Sequence, residues 1–183
     1  MDTKNKKNIK KLVYCAVAIA LSFATSYIRI IRLPFGGAVT LFSMLYIVLI
    51  ANWYGTITGV VVGTIYGLLQ FFQNPEFLSP LQVLLDYILA FAALGFAGIF
   101  KNRQNGLIIG YILGIFLRGV STTLAGYVFW FDYMPDNFPK SIAVLYPIVY
   151  NFSYIMTEGI LTIIVISIPA VKKAIEIVKN NTK

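Results

Sequence analysis

The sequence alternates between long apolar runs and short polar or charged breaks. Six apolar runs can be traced, at residues 12–28, 39–52, 56–72, 81–100, 106–131 and 142–171. A helix that crosses a bilayer needs about 20 mainly apolar residues, and the second run is short for that length. The pattern predicts an all-α integral membrane protein, a bundle of six transmembrane helices forming one domain over residues 1–183. Four or five spans with a re-entrant segment is the alternative.

The composition supports lipid as the main solvent of this chain. Hydrophobic residues make up 58% of the sequence and charged residues only 12%, whereas soluble domains carry about a quarter charged residues. There is no His and a single Cys, Cys15, which removes the commonest metal ligand and the commonest general base. No phosphate-binding glycine loop is followed by Lys-Ser or Lys-Thr. We therefore expect no enzymatic activity, no cofactor and no metal site.

The net charge of +8 reflects membrane orientation and not nucleic-acid binding. With six spans, one side of the membrane receives most of the basic residues: Lys4, Lys6, Lys7, Lys10, Lys11, Lys101, Arg103, Lys172, Lys173, Lys179 and Lys183. The other side receives only Arg29, Arg32 and Lys140. Basic loops stay in the cytoplasm, so the sequence predicts a multi-pass cell-membrane protein with both termini cytoplasmic.

Small residues recur at a spacing of four, which places them on one helix face. The third run contains Gly55, Gly59, Gly63 and Gly67, and the fifth contains Gly106, Gly110 and Gly114. Such faces let two helix backbones approach closely within a bilayer, and we interpret both as internal packing. Ala16 and Ala20 form a smaller face of this kind on the first run.

Titratable residues at membrane depth carry the functional information. Asp86 lies about two turns into the fourth run, while Arg118 and Glu158 enter from opposite sides on the fifth and sixth runs. Charges at this depth usually face a bundle interior, where they pair or serve function. We interpret Arg118 and Glu158 as a structural ion pair. A proton relay through them, in a transporter that works alone, is the alternative.

An aromatic and amide set surrounds the outer ends of the last three runs: Tyr87, Trp130, Tyr133, Tyr146, Tyr150, Asn151 and Tyr154. Together with the Asp86 carboxylate, this set suits a flat cationic or polar heteroaromatic ligand. Ring faces attract a cation, and Asn151 offers amide hydrogen bonds. An interfacial aromatic belt without a ligand is the other interpretation.

Four segments carry a resemblance to a known family. They are Leu33-Pro34-Phe35-Gly36-Gly37-Ala38-Val39-Thr40-Leu41, Pro80-Leu81-Gln82-Val83-Leu84-Leu85-Asp86-Tyr87, Gly126-x-x-x-Trp130 and Tyr146-x-x-x-x-Asn151. In this order they resemble the thiamine-specific S component of energy-coupling factor (ECF) transporters. The resemblance extends over nearly the whole chain and includes its length, its six runs and its basic ends.

The resemblance implies a six-helix S-component fold that captures thiamine from outside. The S component would then join a transmembrane coupling protein and two cytoplasmic ATPases. It implies that Asp86 faces the cationic ligand, with Tyr87 beside it, that Trp130 stacks on the ligand rings and that Gly126 allows a close approach. Tyr146 and Asn151 would be polar groups of the site. The loop 34–40 would form an outer lid, which here contains no tryptophan, and Ala16 and Ala20 would dock the coupling protein.

Other functions remain open at this stage. A relative that binds riboflavin, a pyrimidine precursor or another vitamin would share most of these features. The absence of an internal duplication argues against a stand-alone ion-coupled transporter built from inverted repeats. A membrane scaffold without a ligand is a third alternative.

Overall fold

The computed structural model describes residues 3–182 and is almost entirely helical. Lys183, counted above among the basic residues, lies outside this range. The helices are α1 (Thr3–Ser26), α2 (Ser43–Tyr54), α3 (Thr56–Gln73), α4 (Pro80–Phe100), α5 (Gly106–Tyr133), α6 (Tyr146–Ser167) and α7 (Pro169–Asn181). Strands β1 (Arg29–Arg32) and β2 (Ala38–Thr40) form a hairpin between α1 and α2. A 3₁₀ segment, Lys140–Leu145, leads directly into α6.

Five helices of the described chain are long and apolar enough to cross a membrane. They are α1, α3, α4, α5 and the continuous helix that contains α6. The apolar run at 39–52 instead divides between β2 and α2, whose 12 residues extend only about 18 Å against a hydrocarbon core of about 30 Å. The predicted helical membrane fold is therefore confirmed, but the count of six spans is not.

α2 is a short helix that is buried at the centre of the bundle. Its residues Met44, Ile47, Val48 and Ile50 are all completely shielded from solvent. A helix that is apolar on every side is stable only when other helices surround it. Burial on every side explains why α2 has no polar face. The helix remains too short to cross a membrane as a simple span.

The glycine faces pack within the bundle, as predicted. A Cβ added to Gly63 or Gly67 of α3 would collide with the backbone carbonyls of Phe91 and Tyr87 in α4. On α5, a Cβ at Gly110 would lie 2.6 Å from the carbonyl oxygen of Ala97. α4 is therefore held between two glycine faces at backbone contact distance. This close packing fixes the depth and rotation of α4, which carries Asp86.

The hairpin was not predicted, since its sequence indicated only a break after the first run. β1 and β2 pair antiparallel, with Arg29 opposite Thr40 and Arg32 opposite Ala38. The turn Pro34–Gly36 joins them, and both Phe35 (φ +59°) and Gly36 (φ +84°) have positive φ. Glycine tolerates this conformation but phenylalanine rarely adopts it, so tertiary contacts must hold Phe35 in place.

The basic segments meet at the end of the bundle opposite the hairpin. The Lys11 ammonium lies 5.7 Å from the ring centre of Tyr54, and Lys101 approaches Gly55. α6 ends at Ser167 because Pro169 interrupts the predicted run, and α7 follows as a separate helix with no buried residue. The Lys179 ammonium donates a hydrogen bond to the buried Asn52 side chain at 3.1 Å. We call this the basic end, and the opposite one the hairpin end.

Candidate ligand-binding site

A deep cavity opens beneath the hairpin, between α3, α4, α5 and α6. All six residues predicted to bind a ligand line it: Asp86, Tyr87, Gly126, Trp130, Tyr146 and Asn151. The structure thus brings together residues from three helices that are up to 65 positions apart in the sequence. The cavity wall also contains residues that the sequence did not single out for a ligand, notably Phe35, Gln82 and Ser43.

Asp86 and Trp130 meet at the centre of the site. Asp86 lies in a π-helical segment of α4, Leu84–Leu89, and Trp130 lies in one of α5, Gly126–Trp130. The Trp130 indole N–H donates to Oδ2 of Asp86 at 2.9 Å. A π-helical turn rotates the following side chains relative to a regular helix, and such turns are frequent at functional sites. The Ser121 hydroxyl, in the regular part of α5 before its π-helical segment, donates to the Leu85 carbonyl at 2.8 Å and so joins α5 to the π-helical segment of α4.

Gln82 supports the carboxylate from one turn earlier in α4. Its side-chain amide donates to Oδ2 of Asp86 at 2.8 Å, while its Oε1 accepts from the Leu78 N–H at 3.2 Å. Gln82 is completely buried, and its own N–H donates to the capping hydroxyl of Ser79 at 3.1 Å. The side-chain nitrogen, the side-chain oxygen and the backbone N–H of Gln82 are therefore all hydrogen-bonded. The spacing of four between Gln82 and Asp86 could have indicated this contact in the sequence.

Two donors thus bind the same oxygen of Asp86. Among the described residues, none donates a hydrogen bond to Oδ1, and no cationic side chain forms an ion pair with the carboxylate. Both donors are neutral, so the negative charge itself is not compensated by a direct contact. A carboxylate at membrane depth is costly without such compensation. This oxygen can accept a hydrogen bond or pair with a positive charge brought by a ligand.

The hairpin turn covers the cavity with an aromatic side chain. The Phe35 ring centre lies 6.1 Å from that of Trp130 and 5.7 Å from that of Tyr133. Trp130 and Tyr133 are in turn 5.4 Å apart. These distances and tilted geometries are typical of aromatic packing. Phe35 therefore covers this part of the cavity with an aromatic ring, in a segment that contains no tryptophan.

Tyr150 attaches the hairpin turn to α6. Its hydroxyl accepts a hydrogen bond from the Gly37 N–H at 3.1 Å and donates to the Pro34 carbonyl. A Cβ at Gly37 would lie only 2.6 Å from this hydroxyl oxygen, so the contact requires glycine there. Tyr146, Tyr150 and Tyr154 succeed one another along α6 with ring centres 5.9 Å apart at each step. They form an aromatic wall of the cavity.

Tyr87 lines the cavity, but its hydroxyl is hydrogen-bonded to the neighbouring loop. The hydroxyl donates to the Asn74 carbonyl at 2.9 Å and accepts from the Glu76 N–H at 3.1 Å. Its ring packs edge-on against Phe71 with 5.3 Å between ring centres. In this arrangement Tyr87 offers a ring surface to the cavity and holds the loop between α3 and α4 close to it.

Asn151 joins α5 and α6 beneath Trp130. Its amide nitrogen donates to the Pro147 carbonyl at 2.9 Å and the Thr122 carbonyl at 3.3 Å, while its oxygen accepts from the Tyr154 hydroxyl at 3.1 Å. Gly126 makes room for this contact, because a Cβ there would lie 3.2 Å from the Asn151 amide nitrogen. Both residues hold the two helices at a fixed separation on the cavity wall.

Arg118 and Glu158 both line the lower part of the cavity, but they do not form the predicted ion pair within 4 Å. Glu158 instead accepts hydrogen bonds from the Thr40 N–H (2.8 Å) and hydroxyl (2.7 Å). The Arg118 guanidinium lies 4.3 Å from the ring centre of Phe91 in a cation–π contact. The hydrogen bonds of the carboxylate thus come from the hairpin, which the sequence did not predict, and not from the Arg118 guanidinium.

Ala16 and Ala20 lie on the outer surface of α1. Both are exposed, together with Ala24 one turn further along the same face. In contrast, Ala18 is buried against the bundle. The small-residue face therefore lies exposed on the surface of the described bundle.

The site as a whole is chemically simple. It combines one uncompensated carboxylate oxygen with several aromatic rings, and the hairpin turn with Phe35 lies over it. Aromatic faces and a carboxylate together favour a flat organic cation. Among the described residues, no cluster of His, Cys, Asp or Glu that could hold a metal ion is found.

Comparison with known proteins identifies relatives that match most of the chain. The sequence profile of the family described as "Thiamine transporter protein" matches residues 12–178. The thiamine transporter ThiT of Bacillus subtilis is 29% identical over 176 residues, which cover 87% of this chain and 90% of that protein. ThiT of Lacticaseibacillus paracasei is 24% identical over 179 residues, 87% of this chain and 84% of that protein. A solved structure of ThiT from Listeria monocytogenes aligns with a TM-score of 0.72 and 25% identity, covering 90% of this chain and 97% of that one.

Proposed function

This chain belongs to the thiamine transporter protein family, and we propose that it binds thiamine with high affinity in the cavity beneath the hairpin. It is a membrane S component with a role in transport and not in catalysis. We assign Asp86, Trp130, Tyr87, Tyr146, Asn151 and Gly126 to the thiamine site. Phe35 and the turn around it form the lid.

The observation that carries this proposal is the uncompensated Oδ1 of Asp86. Thiamine is a cation with two flat heteroaromatic rings, so it supplies the positive charge that Asp86 lacks and ring faces that can stack on the aromatic walls of the cavity. Binding would pair the cation with Asp86 and place a ring against Trp130. In a site shielded from water, a cation over an indole ring contributes about 2 kcal/mol. Gln82 and the Trp130 N–H keep the carboxylate in place before the ligand arrives, which reduces the ordering cost of binding.

Titration of the purified protein with thiamine tests this function. Trp130 lies in the site and Trp53 at the basic end, where its ring packs against Tyr14 with 6.1 Å between centres. In a Trp53→Phe background, Trp130 is the single fluorescent tryptophan, and submicromolar thiamine should quench it in a saturable manner. Riboflavin and an aminopyrimidine precursor should not. Quenching by either of these and not by thiamine would assign the site to another vitamin.

We further propose that the chain delivers thiamine together with an ECF coupling protein and two ATPases. The chain contains no phosphate-binding glycine loop of its own, so uphill transport needs a separate source of energy. The exposed face of Ala16 and Ala20 suits close contact with a helix of the coupling protein. The three basic segments converge at one end of the bundle, which favours a cell-membrane orientation with both termini and this end in the cytoplasm.

A stand-alone ion-coupled transporter loses its main argument in this structure. That alternative relied on a relay between Arg118 and Glu158, which form no ion pair within 4 Å, while the Glu158 carboxylate accepts hydrogen bonds from Thr40. Uptake measured in cells with and without the ATPase subunits separates the two mechanisms. We expect uptake only when the ATPases are present, and uptake without them would support ion coupling.

A further inference from the structure

Glu158 of α6 contacts both the end of β2 and the beginning of α2. One carboxylate oxygen accepts from the Thr40 N–H at 2.8 Å and the Thr40 hydroxyl at 2.7 Å. The other lies 3.3 Å from the Ser43 hydroxyl and 3.4 Å from the Met44 N–H. Glu158 is 2% exposed, so these contacts are shielded from water. Hydrogen bonds to a charged acceptor in such surroundings are stronger than those between neutral groups.

This carboxylate replaces a missing helix cap. The first N–H groups of a helix have no partner within it, and the residue before α2, Phe42, is left-handed (φ +60°) and provides no side-chain cap. A negative charge near a helix N-terminus is also favoured by the helix dipole. Glu158 therefore supplies to α2, from another helix, what its own sequence lacks. Thr40, the last residue of β2, binds the same carboxylate. This end of the hairpin, which we call the hairpin root, is therefore fixed to α6 at the same point.

The hairpin has a second attachment to the same helix. Tyr150 holds the turn at Pro34 and Gly37, eight residues before Glu158 and thus about 12 Å along the axis of α6. Tyr150 binds the turn through one neutral hydroxyl of a side chain that is only half-buried. Glu158 binds the root through a buried charge. The two contacts therefore differ in strength, and the weaker one lies at the part of the hairpin that covers the cavity.

We propose that Glu158 is a positioning residue for the lid: it keeps the hairpin root and the start of α2 fixed, so that only the turn opens and closes over the cavity. With the root fixed, Phe35 returns to the same place against Trp130 and Tyr133 after each opening. Its effect on thiamine binding rests on the function proposed above, whereas its effect on the hairpin does not. Glu158 therefore acts through Thr40, Ser43 and Met44 and not by touching the ligand.

Hydrogen–deuterium exchange of the ligand-free protein tests this role directly. In Glu158→Gln, one carboxylate oxygen is replaced by an amide NH2 group, which cannot accept the hydrogen bonds of the donors facing it. We expect exchange in the segment 38–44 to rise about tenfold and exchange in 29–37 to rise as well. The loop 74–79 should not change, because Tyr87 holds it. An unchanged segment 38–44 in a folded Glu158→Gln protein would overturn the proposal.

A second variant separates positioning from ligand contact. Thr40→Val leaves the Glu158 charge in the cavity but removes one hydroxyl from the anchor, and it should raise exchange in the same segment to a smaller extent. Both variants should increase the association and the dissociation rates of thiamine, with dissociation increasing more. Weaker thiamine binding in Glu158→Gln with unchanged hairpin exchange would mean direct contact with the ligand, and would refute the positioning role.

The control is Thr162→Val, one turn further along α6. The Thr162 hydroxyl is buried and donates to the Glu158 backbone carbonyl at 2.8 Å, without contact to the hairpin. It should leave hairpin exchange and thiamine rates unchanged. If Glu158→Gln fails to fold, Thr40→Val decides: increased exchange confined to 29–44 supports the anchor, and no increase overturns it. If the wild-type chain binds no thiamine, the proposed function fails while the exchange experiment still tests the anchor.

Discussion

The indole N–H of Trp130 donates to Oδ2 of Asp86 across 2.9 Å, so the aromatic and the acidic element of the site form one unit. The contact orients the carboxylate and fixes the plane of the indole at the same time. It also leaves Oδ1 without a donor among the described residues. Substitutions of the two residues should therefore affect ligand binding in different ways, although they are hydrogen-bonded to each other.

Asp86→Asn should weaken thiamine binding by at least tenfold, which corresponds to about 1.4 kcal/mol. The asparagine keeps one oxygen that accepts from Gln82 and Trp130, so its amide NH2 group faces the cavity. This replaces an attraction for the cation by a repulsion. Titration calorimetry measures the affinity. Asp132→Asn makes the same chemical change at an exposed position and should have no effect. Equal affinities of wild type and Asp86→Asn would remove Asp86 from the site.

Trp130→Ala should lower the affinity by about 2 kcal/mol, since it removes ring stacking and the cation–π contact. Trp130→Phe should be milder because it keeps a ring and loses only the N–H to Asp86. Calorimetry is the suitable measurement, because the fluorescent reporter is the residue being changed. Trp53→Phe at the basic end is the control. If Trp130→Ala binds as tightly as the wild type, Trp130 is a membrane-interface residue and not part of the site.

Much of the site could be predicted because its residues lie at regular helical positions. Helices place Asp86, Trp130, Tyr146 and Asn151 at the same end of the bundle, and the apolar runs indicate where those helices begin. The glycine faces of α3 and α5 likewise indicate close packing, although not that both of them face α4. Local periodicity is sufficient for such predictions because each depends on one helix at a time.

The hairpin and its contacts could not be predicted in this way. The residues 29–40 contain two arginines, a proline and two adjacent glycines, which indicate a break but not strand pairing. That Glu158 binds Thr40 and not Arg118 depends on where the hairpin lies on α6, over a separation of 118 residues. The short run at 39–52 was ambiguous for a related reason: its first residues belong to a strand and the remainder to a buried helix. Both features are set by tertiary contacts.

Tyr150→Phe should speed the dissociation of thiamine severalfold. The variant keeps the ring in the aromatic wall but removes the hydroxyl that binds Gly37 and Pro34, so the lid turn opens more often. One neutral hydrogen bond contributes about 1 kcal/mol. Stopped-flow fluorescence of Trp130 reports the rate. Tyr127→Phe is a matched control, because its hydroxyl donates to the Val144 carbonyl at 2.6 Å outside the cavity. An unchanged rate in Tyr150→Phe would show that the turn is held by other contacts.

The double variant Ala16→Trp/Ala20→Trp should separate ligand binding from transport. Both alanines are exposed on α1 and absent from the cavity wall, so two indoles there should leave the thiamine titration unchanged. They would fill the face on which a helix of the coupling protein can approach closely. Uptake of thiamine by cells that contain the ATPase subunits should therefore be lost.

The control for this double variant is Ile112→Trp/Phe116→Trp on α5. These positions are also exposed, by 49% and 53%, and four residues apart, but they already carry large side chains and form no groove. Uptake should continue in this control, which excludes a general effect of surface tryptophans on membrane insertion. If the alanine double variant binds thiamine poorly, its face contributes to the fold and not to docking. If it still supports uptake, the coupling protein docks on another face, since two indoles at Ala16 and Ala20 leave no room for a helix backbone there.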